Sequence, residues 1–223
     1  MALPGARRTL VVKSPVAAAV GAGVEFHEPH GVMQIVLGGS TTEISVLSLN
    51  GIVAARSMRT GGNAMDEAVV RYLRREKGIV IGVRTAEDLK IDIGSAKKGE
   101  EPGAEDVLLR GRDVRTGKPS TVSVSPRDVN RALLPPLTAL LENIREAFEN
   151  TPPELAADVS SSGVLLTGGG SLLRGLDELI EEKLHIKAEV AESAEECVAI
   201  GTGCCFDCID ELSEDVIRYG SGR

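Results

Sequence analysis

The spacing of hydrophobic and polar positions changes several times along the chain, and each change marks an element. Thr9–Lys13 is a β-branched run that predicts a strand, ended by Pro15. Val16–Gly21 is Ala-rich and predicts a short helix, because Ala is the strongest helix former and Pro suits a first turn. Val24–Gly31 reads as a loop. Val32–Leu37 is a continuous apolar run, Glu43–Leu49 alternates in part, and Ile52–Ser57 follows Asn50-Gly51. Asn-Gly between two strands signals a tight hairpin, since both residues tolerate positive φ. The three runs therefore predict an antiparallel meander with a type I′ turn at Asn50-Gly51.

Helical spacing takes over at Met65, Ala68, Val69, Tyr72 and Leu73, which predict a helix over Met65–Glu76 opened by Gly61-Gly62-Asn63. Thr85 reads as the N-cap of a helix running to about Ala96. Lys97–Asp106 is a polar loop. Val107–Arg110 and Ser120–Val124 read as strands joined by the charged turn Gly111–Lys118. Ser125-Pro126 opens a long helix to about Glu149, which Pro135-Pro136 should kink or split. Pro152-Pro153 starts a further helical turn. Gly163–Thr167 then reads as a strand, Gly168–Ser171 as a loop, Leu172–Leu184 as a helix, Ala188–Ala191 as a strand and Ala194–Leu212 as a helix, with Asp215–Arg223 a loose tail. This order predicts an α/β or α+β domain with a small mixed subdomain, about Tyr72–Ser160, inserted into it.

Composition narrows the function classes. With 223 residues, 42% apolar and 26% charged, the chain has ordinary globular usage and is long enough for a sizeable core. It has no Trp and few other aromatics, and its net charge is −8. Both facts argue against nucleic acid as a partner, which is bound by basic surfaces and stacked aromatics. No apolar run is long enough for a membrane span and no signal-peptide core precedes Lys13, so the expected place is the cytoplasm. Cys197, Cys204, Cys205 and Cys208 cluster near one end, which is not a disulfide framework.

Two glycine segments are candidates for chemistry. Gly38-Gly39-Ser40-Thr41-Thr42 can form a concave anion site from backbone N–H groups with hydroxyls at its rim, or can be a tight hairpin turn. Leu165–Ser171, with Gly168-Gly169-Gly170, lets a ligand approach the backbone ahead of a helix, or is a flexible linker. Neither is a Walker A, and Gly21-Ala22-Gly23 and Gly201-Thr202-Gly203 lack the third glycine of a dinucleotide fingerprint. His27-Glu28-Pro29-His30 reads as a solvated loop, since Pro29 forbids the helix that would aim both His one way. Cys205-x-x-Cys208 lacks a second knuckle, so free thiols are expected and a thiol or zinc protein is the remote reading. Glu87 and Lys90 stand three apart on one helix face, a spacing that also suits a surface pair.

Taken together the segments resemble the MreB/Mbl family of bacterial actin-like, rod-shape-determining proteins. The resemblance is carried by Gly38–Glu43, Gly61-Gly62-Asn63-Ala64-Met65-Asp66-Glu67-Ala68, Thr85–Lys90 with Ile93-Gly94-Ser95-Ala96, Gly111-Arg112-Asp113, Thr151–Leu155, and Leu166–Leu176. It is collinear from about Leu10 to Gly203.

The resemblance implies a truncated actin/Hsp70-type ATPase (RNase H-like) fold. A remnant of the first large subdomain would occupy 1–31. The second large subdomain would comprise 32–71 and 161–213, with an inserted small subdomain over 72–160 and a tail over 214–223. It implies nucleotide binding by Gly38, Gly39, Ser40 and Thr41 at the phosphates, by Glu87, Asp88, Leu89 and Lys90 at the adenosine, and by Gly168, Gly169, Gly170 and Ser171 along the phosphates. ATP and Mg²⁺ are the implied cofactors, with weak or absent binding expected and no protein metal site. The chain departs from the family pattern in three places. The first phosphate hairpin does not appear, Val36 stands where the family has a metal-organising carboxylate, and Ser14 stands where it has the Glu that orients the attacking water. Thr41 is kept at a position that assists hydrolysis.

The implied function is a cytoskeletal subunit or filament modulator in cell shape and wall organisation, with hydrolysis lost. A working, polymerising ATPase is the alternative. The implied partners are a second copy, a full-length relative and the cell-wall machinery, with membrane association only through partners.

Overall fold

The computed structural model describes residues 9–97, 105–208, 212 and 216–220. Its centre is a five-stranded sheet, ordered β4-β3-β2-β8-β9. The strands β2 (Val32–Leu37), β3 (Thr42–Ser48) and β4 (Gly51–Met58) form the expected meander, while β8 (Val164–Thr167) and β9 (Ala188–Val190) add in parallel. One face of β2 carries Met33, Ile35 and Leu37 into the main core. The other turns Val36 toward Ala18 and Cys197, as the two-residue period of a strand requires.

A second sheet, β5-β6-β7, comprises Ile79–Val80, Val107–Asp113 and Pro119–Val124. The helices α2 (Gly62–Glu76), α3 (Val83–Ile93) and α4 (Pro126–Glu149) pack on one another, α4 also against β3 and β4 and α2 against β5, and one apolar cluster extends from Met33 and Ile35 through Leu133 and Leu140 to Ile79 and Leu109. α5 (Pro153–Ser162) and α6 (Leu176–Leu184) complete the fold around this core. On the far face of the first sheet, α1 (Ser14–Gly21) lies against α7 (Cys197–Cys204).

Several expectations are corrected. The β3–β4 turn sits one residue earlier than Asn50-Gly51. Leu49 and Asn50 hold positive φ, at 49° and 61°, and Ser48 pairs with Gly51. This register sets Leu47 opposite Ile52, and both pack in the cluster under α1, with a bulge at Val53 absorbing the slip. Thr85 is not a cap: α3 begins at Val83, and the Ala86 N–H already bonds the Gly82 carbonyl at 3.1 Å. Pro135-Pro136 does not split α4. The apolar face continues through Leu133, Pro136, Leu137 and Leu140, and that packing offsets the roughly 3 kcal/mol an interior proline costs.

The glycine segment Gly168–Ser171 does not lead straight into a helix. A single 3-10 turn, Gly169–Leu172, is followed by Gly175 at φ 67°, and α6 begins only at Leu176. The helix expected over Ala194–Leu212 is α7 alone, preceded by a turn in which Glu196 N–H bonds Ser193 O at 2.7 Å. Residues 209–211 of that expectation lie outside the described residues. Asp215–Arg223 is not a loose tail throughout, because Ile217–Gly220 forms β10, antiparallel to β1 (Thr9–Val12), with Thr9 opposite Gly220. Of the expected tail over 214–223, residues 214, 215 and 221–223 lie outside the described residues.

Candidate functional site

The Gly38–Thr41 turn joins β2 to β3 and is closed by a Gly38 N–H to Thr41 O bond of 2.9 Å. It also caps α2. A helix N-terminus leaves its first N–H groups without partners. Here Gly62 N–H donates to Gly38 O at 3.0 Å and Asn63 N–H to Gly39 O at 2.7 Å. The approach needs glycine at 61, where a Cβ would stand 2.7 Å from Gly39 O and closer still to Gly38 O. The Asn63 amide reaches back to donate to Ser40 Oγ at 3.3 Å.

The second glycine loop follows the neighbouring parallel strand, so both turns meet at the carboxyl ends of β2 and β8, where open α/β sheets hold ligands. Gly168 holds φ 84°, a conformation that disfavours any side chain, and its N–H donates to Ala194 O at 2.7 Å. Ser171 Oγ turns inward to donate to Gly168 O at 2.6 Å. A Cβ on Gly170 would press into the Leu37 side chain, 3.0 Å from its Cγ.

The third wall is α3. Lys90 Nζ lies 2.7 Å from Asp66 Oδ1 on α2, and both side chains are nearly buried. Burial pushes the Asp66 carboxyl above the usual carboxylate range, Lys90 pulls it back, and Glu87 adds to the rise. Arg174 ties the 3-10 turn to the end of α3, donating from Nε to Gly94 O at 3.2 Å and from its terminal nitrogen to Asp92 O at 2.7 Å. Ala96 N–H returns the contact to Arg174 O at 2.8 Å.

These walls enclose a cleft of about 250 Å³. Of the residues singled out in the sequence, Gly38, Gly39, Glu87, Lys90, Gly169 and Gly170 line it. Ser40, Thr41 and Asp88 are exposed beside it. Leu89 belongs to the core, and Gly168 and Ser171 are buried behind the turn. Asn63, Asp66 and Arg174, which the sequence shows only within the matching segments, and Glu195 also line the cleft, and sequence reasoning gave none of them a binding role. Asp66 did leave a signal: it is a carboxylate on the buried face of α2, beside Met65 and Val69.

The cleft suits a nucleotide in its backbone-lined glycine walls and in the apolar side chains of Ile91, Leu172 and Leu173. The place of a metal-organising carboxylate fits less well. Val36 is 7% exposed and packed among Ala18, Cys197 and Val198. Ser14 Oγ is held by Glu43, donating to its Oε2 at 2.5 Å, and Glu43 is the cross-strand partner of Val36. Glu43, which sequence reasoning gave no role, is thus the carboxylate at this place.

Among the described residues no cluster of His, Cys, Asp and Glu is arranged to hold a metal, and no helix is long and apolar enough to cross a membrane. The thiols differ sharply. Cys204 is exposed, whereas Cys205 is buried against Val16 and Phe26. Burial, with the neighbouring Cys208 and Cys204, pushes the Cys205 thiol up to about 11. Burial also raises Cys197, whose Sγ donates to Ser193 O at 3.5 Å. Since the thiolate is the nucleophile, alkylation of the native protein at mildly alkaline pH is expected to label Cys204 first, with Cys205 and Cys197 reacting only on unfolding. Mass spectrometry showing Cys205 labelled as fast as Cys204 would contradict this packing.

Comparison with known proteins agrees with the fold. A profile of the family described as "MreB/Mbl protein" matches residues 2–214. The cell shape-determining protein MreB of Escherichia coli K12 is 44% identical over 212 residues, covering 95% of this chain and 60% of that protein. The cell shape-determining protein Mbl of Bacillus subtilis 168 is 39% identical over 208 residues, covering 93% and 62%. The chain thus spans about 60% of the length of the curated relatives it matches. Crystal structures of MreB5 of Spiroplasma citri, bound to AMPPNP or to ADP, superpose with a TM-score of 0.85 at 33% identity; the AMPPNP form covers 89% of this chain and 59% of that one. The MamK double helical filament shares the fold, with a TM-score of 0.70 at 22% identity over 87% of this chain and 58% of that one. The fold is therefore actin-like, and the chain belongs to the MreB/Mbl family.

Proposed function

We propose that this chain is a cytoskeletal module of cell-shape determination that holds an adenine nucleotide in the cleft and assembles with itself or with a full-length relative. In this reading the chain comprises a second large subdomain over 32–71 and 161–213 and a small subdomain over 72–160. The convergence of Gly38-Gly39, Glu87 with Lys90, and Gly169-Gly170 on one cleft carries the proposal. The nucleotides bound by the Spiroplasma relative support it, as does the filament formed by MamK. When bound, the nucleotide would supply a phosphate chain whose presence biases assembly.

This chain's own residues hold rather than react. Glycine backbone admits the phosphates, Glu87 accepts from the sugar, and the Asp66–Lys90 pair fixes α2 against α3. Hydrolysis is lost in this reading, because Val36 and Ser14 occupy the places of the family's carboxylates. The alternative, a turning-over ATPase, is favoured by one observation, the Glu43 carboxylate beside Val36.

Co-sedimentation with the Escherichia coli relative tests the proposal. The chain should pellet with it in a nucleotide-dependent way, and Glu87→Ala should weaken nucleotide affinity at least ~10-fold, the worth of one charge-assisted hydrogen bond. No co-pelleting under any nucleotide condition, or an affinity unchanged by Glu87→Ala, would refute it. Glu87 is the better probe than Lys90, whose removal strands Asp66 in a buried place without its counter-charge.

A further inference from the structure

The lining of the cleft carries one more carboxylate than cations. Three carboxylates line it, Asp66, Glu87 and Glu195, against two cations, Lys90 and Arg174. Both cations are engaged: Lys90 with Asp66, and Arg174 with the carbonyls of Asp92 and Gly94. The N–H groups of Gly62 and Asn63, the donors a helix N-terminus would offer to phosphate, are used by the Gly38 and Gly39 carbonyls.

Glu87 stands at the α3 end with Ile91, whereas Glu195 stands at the glycine end. Its Oε1 lies 3.3 Å from where a Cβ on Gly169 would be, so the carboxylate rests over the turn whose backbone would meet phosphate. The backbone that carries it is held in place. Gly168 N–H donates to Ala194 O at 2.7 Å, and Glu196 N–H closes the turn on Ser193 O at 2.7 Å, with Ser193 at φ 50°.

We propose that Glu195 is a specificity-determining residue, a fixed negative charge at the phosphate end that admits adenosine and weakly charged nucleotides and disfavours each added phosphate charge. The chain then holds a nucleoside or diphosphate in preference to free triphosphate. The proposal rests on the nucleotide reading of the cleft. It extends that reading by naming which nucleotides the cleft prefers. Like charges a few ångströms apart repel in proportion to their number, and salt screens that repulsion in a half-open cleft.

Calorimetric dissociation constants for adenosine, AMP, ADP and ATP, without divalent metal, test it on the whole chain and on Glu195→Gln. Glu195 is exposed, so the isosteric change leaves the fold alone. Adenosine affinity should be unchanged, ATP affinity should rise roughly three- to tenfold, and ADP should fall between, with the differences shrinking at high salt. Glu196→Gln is the control for overall charge, since Glu196 is equally exposed but does not line the cleft. An equal gain for all four ligands, the same graded gain in Glu196→Gln, or a loss that includes adenosine would overturn the proposal. The last outcome would make Glu195 a hydrogen-bond acceptor for the sugar instead. Failure of both proteins to bind any of the four would remove the nucleotide reading itself.

Discussion

Gly201→Ala is expected to destabilise the protein by about 3 kcal/mol or more, a fall in melting temperature on the order of 10 °C for a chain of this size. The cause is the crossing of α1 and α7. A Cβ on Gly201 would stand 2.7 Å from Gly21 N and closer still to Ala17 O. The relation is reciprocal, for a Cβ on Gly21 would stand 2.7 Å from Gly201 N and closer still to Cys197 O. The obstacles are main-chain atoms of a neighbouring helix, which cannot swing aside as a flexible side chain would. The two helices can relieve the overlap only by separating. Separation would open the cluster of Val36, Ala18 and Cys197 and the one holding Val16 and Cys205. Gly203 supplies the control on the same helix. A Cβ there meets nothing within 4 Å, so Gly203→Ala should be neutral or gain up to about 1 kcal/mol from helix propensity. Thermal melts in which Gly201→Ala matches Gly203→Ala would show that the crossing is not a tight contact.

The second large effect concerns turnover. Phosphate release from ATP is expected to be slower than that of a hydrolysing relative by at least ~10²–10³-fold, the cost of losing a single contact that stabilises the transition state. Two positions carry the argument. Val36 is an apolar side chain buried among alanines and a thiol, and it cannot accept from a water of a hydrated cation. Ser14 is a neutral hydroxyl that donates to Glu43, and it can neither accept from an attacking water as strongly as a carboxylate nor take up its proton. Effects of groups that act together are not additive, so the two losses are not multiplied. Steady phosphate release by the purified chain, measured beside the relative under the same conditions, settles the point. Turnover at the relative's rate, abolished by Glu43→Gln, would overturn the expectation and make Glu43 the acting carboxylate. Restoring Val36→Asp is a poor test alone, because it buries a carboxylate in an apolar cluster and would be expected to unfold before it could act.

The meander was readable because β2 and β3, buried on both faces, leave mostly apolar runs, β4 alternates, and turn residues separate the three. Its turn was read one residue late because local propensity favours Asn-Gly, whereas the register is set by Leu47 and Ile52 meeting under α1. The long helix α4 was placed correctly at Ser125, where a capping box writes its start into four residues. Its continuity through Pro135-Pro136 was not legible, since long-range packing overrides a local breaker. The two glycine turns were found from the sequence because close approach and positive φ demand a particular residue type. Arg174 and Glu195 were missed because their roles come from distant partners: Arg174 bonds carbonyls on another helix, and Glu195 overlies a loop far away in sequence. Val36 and Ser14 could be read as substitutions, but the carboxylate beside them could be found only from strand register.

The pairing of β1 with β10 bears on the order in which the molecule assembles. Thr9–Val12 and Ile217–Gly220 come from opposite ends of the described chain, so their hydrogen bonds close a loop that contains nearly all of it. The entropy of that closure is small only once the intervening chain is compact. Closure entropy therefore predicts that these strands pair after the central sheet and the helix crossing have brought the ends together. Among the described residues each of these strands pairs only with the other. A protease that trims one end therefore also leaves the opposite end without its strand partner.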